Sequence, residues 1–157
     1  MRKRIIGHGP GEVAAAEPGW LDLEHLVQVE ITSEEVDHPI ESALIPRVGS
    51  GWRAAQPGEQ TIRLRFDEPL RIKRIRLVFH ESEQERTQEF VLRWSPDGGQ
   101  SYREIVRQQY NFSPPEAAPE VEDYDVDLDA VTALELRIVP DISGGTARAS
   151  LAQLRVA

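Results

Sequence analysis

Apolar and polar residues alternate in short runs along most of this chain, and a two-residue period is the signature of strands with one buried face. Residues 26–31 form a first such run. In residues 61–66 the period puts Ile62, Leu64 and Phe66 on one face, and in residues 72–79 it puts Ile75, Leu77 and Phe79 inward. Asp67-Glu68-Pro69 is expected to end the earlier of these two runs. Phe90, Leu92 and Trp94 then alternate with Glu89, Val91 and Arg93, and Ser95-Pro96-Asp97-Gly98-Gly99 supplies a turn into a partner strand. Pro96 presets φ near about −65°, and Gly98 or Gly99 takes positive φ without steric cost. After a proline-rich loop over residues 113–119, strands are expected near 121–128, 134–139 and 147–156. Residues 40–44 read as a short helical turn and residues 47–53 as a loop around Trp52. About eight antiparallel strands, with turns every ten or so residues, predict an all-β sandwich of the jelly-roll kind.

Composition narrows the picture further. The chain has 157 residues and is 39% hydrophobic, which fits one domain with its own core, since about 150 residues bury roughly two thirds of their unfolded surface. Residues 1–19, rich in Gly, Ala, Glu and Pro, carry no sustained period and read as a flexible N-terminal arm; residues 20–157 are the expected folded domain. There is no cysteine, which excludes disulfides, thiolate metal sites and a cysteine nucleophile. The net charge of −9 argues against a nucleic-acid partner.

No run approaches the ~20 apolar residues of a membrane span. The basic start over residues 1–6 is interrupted by Gly7-His8-Gly9-Pro10-Gly11-Glu12 before any apolar region of signal-peptide length. As encoded, the chain is expected to be cytoplasmic, with a non-classical route as the alternative. It has no Gly-x-Ser-x-Gly elbow, no His-Glu-x-x-His helix and no phosphate-cradling glycine loop, so no enzyme chemistry is expected.

The order of these motifs resembles the discoidin or coagulation-factor C-type domain, of the galactose-binding-like superfamily that includes family-32 carbohydrate-binding modules. Leu64-Arg65-Phe66-Asp67-Glu68-Pro69 is similar to the family's strand with an acidic turn, Ile72-Lys73-Arg74-Ile75-Arg76-Leu77 to its Ile-x-x-Ile strand, and Phe90-Val91-Leu92-Arg93-Trp94-Ser95-Pro96-Asp97-Gly98 to its Ser-x-Asp-Gly hairpin. Leu134-Glu135-Leu136-Arg137-Ile138 and Ala149-Ser150-Leu151-Ala152-Gln153-Leu154 resemble its last two strands. The resemblance implies a lectin-like, non-catalytic domain that binds a glycan or glycoconjugate through loops at one end of the sandwich. A protein-interaction or structural module on the same fold is the alternative, and the oligomeric state stays open.

In sugar-binding members an Asn-Gly-Arg sequence precedes the hairpin, and Arg86 holds the place of its arginine relative to Ser95, with Gln84 for the asparagine and Glu85 for the glycine. Sugar hydroxyls need directional donors and acceptors, and the ring's C–H face needs an apolar surface. Arg86, His80, Glu81, Gln84 and Arg53 are the polar candidates, and Trp52, Tyr110 and Phe112 the apolar ones. The plainer expectation is that Trp52 plugs the end of the sandwich and Arg86 pairs with Glu83 or Glu85 on the surface.

The family's structural calcium uses an Asp-Gly loop and a late glutamate. This chain has no Asp-Gly between Glu41 and Trp52 and carries Gln153 in place of the glutamate, so no cofactor is expected and only backbone carbonyls would be left to hold calcium. The acidic run Asp123-Tyr124-Asp125-Val126-Asp127-Leu128-Asp129 lacks the glycine and the terminal acid of an EF-hand, having Leu128 and Leu134 there. Its alternation puts Tyr124, Val126 and Leu128 inward and the aspartates on a solvated face, opposite arginines such as Arg63, Arg65, Arg74 or Arg76.

Overall fold

A computed structural model describes residues 19–46, 50–81, 83–114 and 119–157. The expected N-terminal arm up to residue 18, part of the loop before Trp52 and most of the proline-rich loop lie outside them. In chain order the elements are α1 (Leu23–Leu26), β1 (Val27–Ile31), α2 (Glu41–Leu44), β2 (Trp52–Arg53), β3 (Gln60–Phe79), β4 (Arg86–Ser95), β5 (Arg103–Phe112), β6 (Glu120–Val139), β7 (Ser150–Leu151) and β8 (Gln153–Val156). The fold is an all-β sandwich, its main sheet running β1-β3-β6-β4-β5 with β8 also on β3, and β2 pairing with β7.

The expected strands at 61–66 and 72–79 are two halves of one strand, and so are those at 121–128 and 134–139. Asp67-Glu68-Pro69 bends β3 without ending it. Pro69 has no N–H to give to a ladder, and the pairing of β3 with β6 shifts register between Arg65 and Leu70, again before Ile72 and again before Arg74. Ala130 of β6 takes a φ of 55° at the same corner. Bulges of this kind add twist and bend, so the paired ribbon turns back on itself and its two halves form the two layers.

The described residues form eight strands, against the expected eight or so, but their make-up differs. The last expected strand divides into β7 and β8, and β2 forms inside the expected loop. There, Trp52 pairs with Leu151 and Arg53 with Ser150. The short helical turn at residues 40–44 is α2.

Alternation along β3 is visible in its burial, with Ile62, Leu64, Ile72, Ile75, Leu77 and Phe79 all enclosed. The rings of Phe79 and Phe90 meet at 5.1 Å between centroids and join the layers. The aspartate face is as read from the sequence: Arg76 Nε donates to Asp123 at 2.9 Å and Arg71 Nη2 to Asp127 at 2.8 Å. Such exposed pairs contribute about 0–1 kcal/mol each. Arg63 and Arg65 face elsewhere. Arg63 donates to Glu135 (2.8 Å from Nη2) and to Glu30 (3.1 Å), and Arg65 Nε donates to Glu30 at 2.9 Å, as the registers Arg63↔Glu135 and Glu30↔Arg63 dictate.

The hairpin turn between β4 and β5 is built around two side chains. Ser95 Oγ accepts from the amides of Asp97 and Gly99, and Asp97 accepts from the amide and hydroxyl of Ser101. The Ser101 hydroxyl first, then the Ser95 hydroxyl, which donates to Asp97 Oδ1 at 2.7 Å, and the Ser101 amide hold the Asp97 carboxyl down at about 2. The turn packs on the ribbon's corner, where Gly98 N–H donates to Thr132 Oγ1 at 2.8 Å.

Two outcomes follow for stability. Gly51 has a φ of +105°, and a Cβ there would lie 2.7 Å from the Leu151 carbonyl; Gly51→Ala is expected to cost at least about 2 kcal/mol in urea unfolding, because both strain and overlap oppose it. Asp97 is depressed in the folded state, so its contribution is present above its ordinary value of 3.8 and lost as pH falls through about 2. Thermal melts should show Asp97→Asn less stable than the parent at neutral pH, with the difference closing as the pH is taken down to about 2.

Candidate functional site

Opposite the ribbon's corner, the ends of β3, β4, β2 and β7 and the turn after β1 meet. The turn is closed by the amide of His38 donating to the Glu35 carbonyl at 3.0 Å, and it is hung on β2 by Glu35 N–H donating to the Arg53 carbonyl at 2.9 Å. Ser150 Oγ donates to the His80 carbonyl at 3.4 Å. Together these segments enclose a cleft of about 250 Å³ lined by His38, Ser50, Arg53, His80, Glu81, Glu83, Arg148 and Ser150, with Trp52, Leu151 and Ala152 completing the wall. Glu35 stands behind it, accepting from Arg148 Nη1 at 2.9 Å and lying 3.5 Å from Arg53 Nε. Ser50 Oγ and His38 Nδ1 are 3.3 Å apart.

Of the residues singled out from the sequence, Trp52, Arg53, His80 and Glu81 line this one cleft. Trp52 is 1% exposed, and its indole N–H donates to the Ser33 carbonyl at 3.0 Å. It plugs the end of the sandwich and shows the cleft little of its ring.

Arg86 opens β4 at an inward position, in step with Gln88, Phe90 and Leu92, so its side chain runs between the layers and is 1% exposed. The expected surface pairing with Glu83 or Glu85 is absent among the described residues. The guanidinium donates to Glu81 Oε1 at 2.7 Å, to the Pro140 carbonyl at 2.8 Å and to Gln88 Oε1 at 3.2 Å, and it sits 4.6 Å over the Phe112 ring. The other Glu81 oxygen accepts from the amides of Glu83 and Gln84. Burial pushes the Glu81 carboxyl up, but Arg86 and those amides outweigh it and leave it below its ordinary value. Gln84 takes part through its backbone. Phe112 is buried beneath Arg86, and Tyr110 meets it edge-on at 5.0 Å; neither lines the cleft.

Glu35, His38, Ser50, Arg148 and Ser150 were not singled out. They come from distant segments, Glu35 and Arg148 being 113 positions apart, and no local period ties one to another. The signal available was topological: each lies at a turn or strand end on the same end of the sandwich.

Neither a protein-family model nor a curated relative matches the sequence. Solved structures do match the fold. A family 32 carbohydrate-binding module of NanJ from Clostridium perfringens, in complex with galactose, aligns over 87% of this chain and 96% of its own at a TM-score of 0.64 and 14% identity. A second CBM32 module from Clostridium perfringens, in complex with GalNAc-β-1,3-galactose, aligns over 87% and 98% at a TM-score of 0.65 and 18% identity. An F5/8 type C domain from Bacteroides fragilis aligns over 87% and 93% at a TM-score of 0.61 and 13% identity. The chain therefore has the discoidin-like β-sandwich fold of family 32 carbohydrate-binding modules and F5/8 type C domains.

Proposed function

We propose that this protein is a non-catalytic glycan-binding module whose ligand enters the cleft between His38, Arg53, His80, Glu81 and Arg148. The observation that carries the reading is the cleft itself: donors from three strand ends line it together with the fixed Glu81 carboxylate, at the end of a sandwich whose solved neighbours include modules in complex with sugars. A sugar hydroxyl both donates and accepts, and the two arginines and the histidines offer donors in the cleft that the Glu81 carboxylate lines. Pockets for larger ligands run to about 300–1,000 Å³; this one suits a single terminal sugar. The state of Glu81 favours binding over catalysis, since a carboxylate held ionised by Arg86 and two amides is a steady acceptor and a poor proton donor.

In this reading Arg86 acts from below. Its guanidinium is spent on Glu81, Gln88 and Pro140, so it positions Glu81 and leaves the sugar to the residues above.

A glycan array followed by calorimetry against galactose-terminated oligosaccharides tests the proposal. Arg53→Ala or His80→Ala is expected to weaken binding about tenfold or more, as the loss of a hydrogen bond from a charged or polar group is worth roughly 1–3 kcal/mol, with melting temperature little changed. Arg86→Ala is expected to lower stability by about 2–4 kcal/mol, since it strands the Glu81 carboxylate. Arg86→Lys keeps the charge but not the planar fork, and should fold while binding more weakly. Failure to bind any glycan, or unchanged affinity in Arg53→Ala and His80→Ala, would overturn the assignment.

A further inference from the structure

At one wall of the cleft two cations meet a single acid. Glu35 stands on the turn after β1, and its Oε1 takes Arg148 Nη1 at 2.9 Å while Arg53 Nε lies 3.5 Å away. Strand pairing brings the two arginines there. Arg53 stands opposite Ser150 in the ladder of β2 with β7, and the Ala54 amide donates to the Ala149 carbonyl just beyond it, so Arg53 and Arg148 are carried by adjacent segments.

This contact uses little of either guanidinium. Arg148 spends one N–H on Glu35, and Arg53 meets the same oxygen only as an ion pair. The Nη groups of Arg53, with Nε and Nη2 of Arg148, have no partner among the described residues. Both side chains line the cleft and are 45% and 40% exposed, so water solvates them until a ligand arrives.

The charge at this spot is positive on balance, with one carboxylate against two guanidiniums. Glu81 is matched by the buried Arg86, 2.7 Å from it. Glu83, the other acid on the wall, is exposed, where solvent screens its charge. A sugar that fills the cleft strips water from both arginines. Hydroxyl groups return only partial charges to a dehydrated cation, whereas a carboxylate returns a full one and matches the planar N–H fork with two parallel hydrogen bonds.

Resting on the glycan-binding reading above, we propose that the sugar taken by this cleft is acidic: a hexuronate whose carboxylate is received by Arg53 and Arg148. A hexuronate is a single ring, the size that a cleft of about 250 Å³ admits. Its carboxylate stands where a neutral hexose has a hydroxymethyl group, so the ring hydroxyls remain for the other polar groups of the wall.

Calorimetry on the full chain tests this with matched ligands: oligosaccharides ending in galacturonate, glucuronate or mannuronate, each against its neutral methyl ester and its parent hexose. At least one acid is expected to bind about tenfold or more tightly than both neutral counterparts in about 50 mM salt, and that ratio should shrink severalfold in about 500 mM salt. Arg53→Ala and Arg148→Ala should each bring the ratio toward one, whatever they do to neutral-sugar affinity. Arg148→Lys, which keeps the charge and loses the fork, should leave an intermediate ratio. If the neutral sugars bind as well as the acids, or if the ratio is unmoved in both alanine variants, the acidic ligand is overturned and the glycan-binding cleft stands. If nothing on the panel or on the wider glycan array binds, both fall together.

Discussion

The pairing of β3 with β6 is the constraint on which the rest of the molecule depends. Two 20-residue strands run side by side and bend together, so one continuous ladder supplies the inner strands of both layers. Every other strand of the main sheet is placed by this ribbon: β1 and β8 on β3, β4 on β6, and β5 on β4. The bend rests on a proline and a run of register shifts, devices that would weaken a flat sheet but here bring two apolar faces together. Hydrophobic burial between the halves then stabilises what the backbone geometry has arranged.

Charge follows the same geometry on the outside. The chain is acidic overall, yet Arg63, Arg74, Arg76 and Arg93 stand opposite acids in the ladders, and the most enclosed of these acids is Glu135, 4% exposed under Arg63. The hydrogen bonds that Arg63 donates to Glu135 and Glu30 raise its guanidinium further above its already high value. Trp20 lies beneath Arg74 and Arg76, at 4.5 and 5.3 Å, so the start of the described chain is held on the outer face by cation–π contact. Individually these surface contacts are small. Their joint effect is to fix register, because a one-residue slip would turn every arginine in a strand to the opposite face.

The strand faces were legible in the sequence because alternation is a local property, and burial follows it along the two halves of β3 and residues 86–90 of β4, while beyond them Val91 and Ser95 are buried and Trp94 is half-buried. The continuity of β3 through Asp67-Glu68-Pro69 was not legible, since an acidic pair and a proline read locally as a stop and only the facing strand carries the ladder past them. The direction of Arg86 was legible and easily overlooked: it shares the even-numbered face of Phe90 and Leu92, so it had to point between the layers. The cleft was half legible. His80, Glu81 and Arg53 stand at strand ends that the pattern located, whereas Glu35, His38 and Arg148 join them only through the closed topology.

The turn between β4 and β5 sits on the ribbon's corner, with the Arg65 guanidinium donating to the Gly98 carbonyl at 3.0 Å, while the cleft opens where β4 begins. Ten residues of extended strand separate the two, about 30 Å at roughly 3.3 Å per residue. The domain thus has a handle and a mouth at opposite poles. A tether or fusion partner joined at the Gly98-Gly99 turn would leave the cleft facing away from its support, and the orientation of the whole domain on a surface would be set by a turn far from the cleft.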